Sequence, residues 1–162
     1  MKDIQLKKLE NLALKLREYQ KVNMTRINLI PVEELSDQHL IREYNELPRC
    51  IKQDLNVSNA PRNYTLGKGH MKWGRLHIQF LLDRYFELCN EMEYRGFKVN
   101  YPHQQLLLYV QENVSIQLLN QYQPTKEDIE VSRNRIIEKI SLKPEWYRWT
   151  KRIKPKYMEN IK

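Results

Sequence analysis

Residues 71–95 read MKWGRLHIQFLLDRYFELCNEMEYR, and within them Leu76, Phe80, Leu81, Tyr85, Leu88, Cys89 and Met92 return at helical intervals. Spacing of this kind lines up one face of an α-helix, whereas a half-buried strand would alternate every second residue. Gly96 follows where a helix commonly closes in the left-handed conformation. This is the longest periodic stretch in the chain of 162 residues, and it predicts a central helix from about Met71 to Arg95.

The same periodicity recurs on both sides. Leu6, Leu9, Ala13 and Leu16 in a charged background predict an amphipathic helix over about residues 4–20, within an extension of residues 1–23 that carries six basic and three acidic residues. After the apolar run from Thr25 to Val32, Glu33 and Glu34 open a second helix that the spacing carries to Leu47 and that Pro48 should stop. Residues 105–119 read as helical, and Thr125 with Asp128 forms a capping box that opens a helix to about Leu142. Pro144 suits the first turn of a last short helix. No convincing strand pattern interrupts the series. The expected fold is all-α, a single compact domain of helices joined by long loops, with an extra N-terminal amphipathic helix. The division is 1–23 for that extension and 24–162 for the domain.

Composition narrows the function. Lys and Arg number 28 against 20 Asp and Glu, a net charge of +8 that favours a polyanionic partner. From Arg133 to Lys162 there are ten basic residues and three acids, interleaved with Trp146, Tyr147, Trp149 and Tyr157. Rings among cations offer stacking surfaces beside phosphate ligands, or anchor a solvated face to the core. No run approaches the roughly 18 apolar residues of a membrane span, and the leucines near the N-terminus are broken by charges, unlike a signal peptide. A cytoplasmic protein is expected. Cys50 and Cys89 read as buried free thiols, and the four histidines form no ligand signature, so a metal site gains no support.

Two short constellations carry chemistry. His39, Arg42, Glu46 and Arg49 share a helix face at spacings of three, four and three, reading either as a surface salt bridge or as a general acid/base group between phosphate-binding arginines. Leu66-Gly67-Lys68-Gly69-His70 reads either as a plain turn or as a phosphate-approaching loop.

Seven motifs in order give a resemblance. Met24-Thr25-Arg26-Ile27-Asn28-Leu29, Asp37-Gln38-His39-Leu40, Glu43-Tyr44-x-Glu46-Leu47-Pro48-Arg49 and Leu66-Gly67-x-Gly69-His70 are followed by three more. These are Arg95-Gly96-Phe97, Glu138-Lys139-Ile140 and Pro144-x-Trp146-Tyr147. Together they resemble the pyrimidine-dimer DNA glycosylases of the phage endonuclease V type, over nearly all of residues 24–162.

The resemblance implies an enzyme without metal or organic cofactor, a monomer that binds double-stranded DNA containing pyrimidine dimers or abasic sites. It would excise the lesion through an imine and nick the strand by β-elimination. It implies catalytic roles for the α-amine of Thr25 and for Glu46, and DNA contacts by Arg26, Gln38, His39, Arg49, Arg135 and Lys139. Trp146 and Tyr147 join these from the aromatic tail, and Arg42 stands in for the arginine that the family places before its glutamate, where this chain has Asn45. While the 23 residues before Met24 remain attached, the Thr25 nitrogen is an amide, acylated by Met24. The competing reading is therefore a non-catalytic DNA-binding protein whose extension blocks the nucleophile.

Overall fold

The computed structural model describes residues 2–23 and 27–159, and the side chains of 4–14 and 27–159. Thr25 and Arg26 lie outside the described residues. The elements are helical throughout: α1 (Lys2–Asn23), α2 (Asp37–Lys52), α3 (His70–Leu76), α4 (Ile78–Tyr94), α5 (His103–Asn113) and α6 (Lys126–Leu142). Short 3-10 turns at Val32–Glu34, Ile116–Leu118 and Lys156–Met158 punctuate the loops. Among the described residues there is no strand, and no helix is long and apolar enough to cross a membrane.

α2 packs chiefly on α4. Leu40, Tyr44, Leu47, Cys50 and Ile51 of α2 are buried against a core that includes Ile78, Leu81, Tyr85, Leu88 and Met92 of α4. Trp73 of α3 and Ile136 and Ile140 of α6 complete it. Every buried apolar side chain among the described residues lies between Ile27 and Met158. By contrast Ile4, Leu6, Leu9, Leu12 and Leu14 of α1 are each 55–63% exposed. Cys50 and Cys89 are both buried and free, and burial pushes their thiols up to about 12 and about 11.

Five features differ from the sequence reading. The second helix begins at Asp37, where the Ser36 side chain accepts the His39 N–H, and Glu33 and Glu34 belong to a separate 3-10 turn. It also runs through Pro48 to Lys52, because Leu47, Cys50 and Ile51 are all held in the core and this burial outweighs the loss of one ladder N–H. The central stretch is two helices broken at His77 rather than one. The groups freed there are taken up by Asn120, whose side chain donates to the Leu76 carbonyl at 2.8 Å while its own carbonyl accepts the Phe80 N–H at 3.2 Å. Pro144 sits in a turn that Trp146 N–H closes on the Lys143 carbonyl, and no helix opens there. The stretch expected as one helix over 105–119 divides into α5 and the turn at Ile116–Leu118.

Two caps follow the sequence directly. Gly96 has φ +86°, and Phe97 N–H reaches back to the Met92 carbonyl at 2.8 Å, as a Schellman ending requires. Thr125 and Asp128 exchange reciprocal hydrogen bonds at the start of α6.

Candidate functional site

A cavity of about 340 Å³ opens between α2, α6 and the loop that follows α6. α2 contributes His39, Arg42, Glu43 and Glu46, spaced so that one helical face lines the wall. α6 supplies Arg135, Ile136, Lys139 and Leu142, and the loop adds Lys143, Trp146 and Tyr147. Asn28 closes the remaining side. The site thus brings together His39, Arg42, Glu46, Arg135, Lys139, Trp146 and Tyr147 from the sequence expectation.

Its electrostatics are one-sided. Of the two carboxylates, Glu43 is buried and committed: it accepts Asn28 N–H at 2.9 Å and Asn28 Nδ2 at 2.7 Å on Oε1, and Arg84 Nε at 2.6 Å on Oε2. Glu46 keeps 13% of its side chain exposed and receives Arg42 Nε at 3.2 Å, an i,i+4 pair whose arginine is 54% exposed. Glu46 is therefore the accessible carboxylate, set among Arg42, Arg135, Lys139 and Lys143.

His39 lies flat on Tyr147, with ring centroids 4.9 Å apart and planes 4° from parallel, and shares a 2.7 Å hydrogen bond with Ser36 Oγ. Burial, with the charges of Arg42 and Lys139, brings its pKa down to about 4, so it is a neutral ring at physiological pH. Trp146 stands edge-on to Tyr147 at 5.1 Å and leaves 57% of its surface in solvent at the rim.

The aromatic rim is held from behind. Gln38 Nε2 donates to the Trp146 carbonyl at 2.6 Å, and Gln38 Oε1 accepts Arg148 N–H at 3.2 Å. Asp37 accepts Thr150 Oγ1 at 2.7 Å and Arg95 at 3.0 Å. Lys151, at φ 57°, turns the chain so that Arg152 grips Glu91 with bonds of 2.7 and 2.9 Å. Burial works against Glu91 ionising, but the hydrogen bonds from Arg152 and Arg95 outweigh it and hold its pKa below the usual carboxylate range.

Two expected site residues lie elsewhere. Gln38 spends both ends of its amide on the tail backbone and does not line the cavity. Arg49 is exposed on α2 outside the cavity. Conversely, sequence reasoning missed Asn28, Glu43, Arg84 and Lys143. A signal existed for two of them: Glu43 falls on the apolar face of α2 between Leu40 and Leu47, and Asn28 interrupts the apolar run from Ile27 to Ile30. A polar residue in such a place needs a buried partner. Among the described residues no group of three metal-capable side chains converges.

A helical protein with a cation-lined, aromatic-rimmed cavity around one accessible carboxylate offers the kind of surface that suits a polyanion. Comparison with protein families makes that class specific: the family described as pyrimidine dimer DNA glycosylase matches residues 24–105, half of the chain. The protein belongs to this family, and its domain is that of a DNA repair glycosylase.

Proposed function

We propose that this protein excises pyrimidine dimers from duplex DNA and then nicks the strand by AP lyase chemistry. The observation that carries the reading is Glu46, the partly exposed carboxylate of a cavity that also presents four cations and an aromatic rim, while its other carboxylate, Glu43, is committed to Asn28 and Arg84. In this reading the unit that acts is the 24–162 domain after loss of Met24, working inside the cell as a monomer on duplex DNA, and no cofactor takes part. Arg42, Arg135, Lys139 and Lys143 hold phosphates, Trp146 and Tyr147 stack on bases opened at the lesion, and neutral His39 offers a hydrogen bond. Arg26 and Arg49 extend the phosphate contacts beyond the cavity.

The nucleophile is the α-amine of Thr25. It stands three residues before Asn28, which lines the cavity, so a chain span of at most about 11 Å separates the two. An α-amine has a reference pKa of about 7.7–8.0, which leaves a neutral fraction able to attack C1′ of the damaged nucleotide. The C1′–N bond breaks, the base leaves with a proton, and the amine nitrogen becomes a protonated imine. Loss of a C2′ proton to a base then expels the 3′ phosphate, and water hydrolyses the imine to free the amine. Glu46 stabilises the cationic intermediates and moves the protons.

This chemistry needs a chain that begins at Thr25, because an acylated nitrogen has no lone pair to give. In the full-length chain, where α1 runs to Asn23, the same surface is a DNA-binding form without lyase activity. Borohydride reduction on abasic-site DNA separates the two. The form beginning at Thr25 should become covalently attached and the full-length chain should not. Equal trapping by both, with intact masses unchanged, would move the nucleophile to another amine.

A further inference from the structure

The turn 66–70 has no part in the cavity, yet it ends on a histidine that reaches the segment beside it. His70 is fully buried at the start of α3. Its Nδ1 lies 2.8 Å from the Thr65 carbonyl, and its Nε2 lies 2.8 Å from Ile27 N–H. A carbonyl can only accept, so the ring proton sits on Nδ1, and Nε2 presents a lone pair to the Ile27 amide. On the other side of the same residue, Tyr64 OH donates to the Ile27 carbonyl at 2.6 Å. Both polar groups of one backbone residue are thus fixed by side chains at least 37 positions away.

The next two amides continue the pattern. Asn28 N–H goes to Glu43, itself anchored by Arg84, and Leu29 N–H goes to Ser132 Oγ of α6 at 3.0 Å. A segment outside any helix has no internal ladder, so its position is whatever these side chains dictate. The turn itself has little room to shift. A Cβ on Gly69 would stand 2.7 Å from Pro61 Cγ, and His70 N–H is tied to the Gly67 carbonyl. The two glycines serve close packing and a tight turn, and what they deliver is the His70 ring under Ile27.

We infer that His70, assisted by Tyr64, is a positioning residue for the glycosylase reaction: it sets the register of Ile27–Asn28, and through it the approach of the preceding residues to the cavity. The inference rests on the proposal that Thr25 supplies the nucleophile. Imine formation depends on near-attack geometry, where a displacement of about 1 Å can cost 10²-fold in rate, whereas DNA affinity comes from cations on α2, α6 and the tail.

The test uses the form beginning at Thr25, which retains every apolar side chain described as buried. His70→Leu removes the acceptor, while His70→Gln places a carbonyl oxygen near the position of Nε2. The expected result is that His70→Leu slows borohydride trapping on abasic DNA at least tenfold while Kd for the same DNA changes less than twofold. His70→Gln should restore the rate to within about threefold. Should His70→Leu fail to fold, Tyr64→Phe removes only the hydroxyl bond to Ile27 and should still slow trapping severalfold at unchanged affinity. No trapping by the unsubstituted form overturns the Thr25 reading and this inference with it. Trapping that neither His70→Leu nor Tyr64→Phe slows, or that slows only in step with lost affinity, overturns this inference alone.

Discussion

At the residue scale, Glu46 and His39 sit on one wall of one cavity with opposite tasks. Glu46 pairs with Arg42 and reaches solvent. Replacing it by Gln keeps the shape and removes charge and basicity, so Glu46→Gln should bind dimer-containing DNA as well as the parent. Its single-turnover excision should fall by about 10²- to 10⁴-fold. Full retained activity would reduce Glu46 to a salt-bridge partner. His39 is kept neutral by burial and by Arg42 and Lys139, with a pKa of about 4 against 6.5 unfolded. Between those values the unfolded chain binds a proton that the folded chain refuses, so stability falls as the pH drops from about 6.5 to 4 and levels off below. The loss from this group is at most about 3 kcal/mol. Denaturant unfolding across that range should show a steeper decline for the parent than for His39→Gln, and parallel profiles would count against a neutral His39.

At the element scale, the site depends on how α2 is bolted to its neighbours. The Glu43–Arg84 pair joins the inner face of α2 to α4, with side-chain exposures of 1% and 6%, and Arg84 also donates to the Ile30 carbonyl at 2.6 Å. Glu43→Leu would strand a buried guanidinium and release Asn28 at the same time. A stability loss of about 3–5 kcal/mol is expected in urea unfolding, and a change below about 1 kcal/mol would show that water reaches Arg84 easily. The opposite wall is set by the N-terminus of α2, where Asp37 and Gln38 take the tail backbone between Trp146 and Thr150. Gln38 thereby acts on the aromatic rim from behind, without touching the cavity.

For the whole molecule, charge decides how it meets its substrate. The chain carries +8, and residues 133–162 hold ten of its 28 basic side chains. If five or six phosphates are neutralised, the logarithm of the binding constant should fall with a slope of about −5 against the logarithm of salt concentration. A slope near zero would remove the electrostatic basis of the interface. Arg49, exposed on α2 outside the cavity, adds to that positive field. Arg49→Ala should weaken damaged and undamaged DNA by similar factors in a titration at fixed salt, and a loss confined to damaged DNA would place it at the lesion.

Local signals determined much of this protein. Helical spacing, the capping box at Thr125, the left-handed ending at Gly96 and the face shared by His39, Arg42 and Glu46 all act within one or two turns, so they are legible one residue after another. The motifs from Met24 to Pro48 and Arg49 also carried the family, which the match over residues 24–105 shows. What only the tertiary structure decided involves partners far apart along the chain. Core burial carries α2 through Pro48, Asn120 breaks the central helix at His77, and Arg84 turns Glu43 from a wall residue into an anchor. Gln38 is turned away from the cavity by a tail 108 residues distant, and the Gly-x-Gly turn finds its purpose only where His70 meets Ile27. A buried polar group must find its partner wherever the fold puts one, and nothing in the neighbouring residues says where that is.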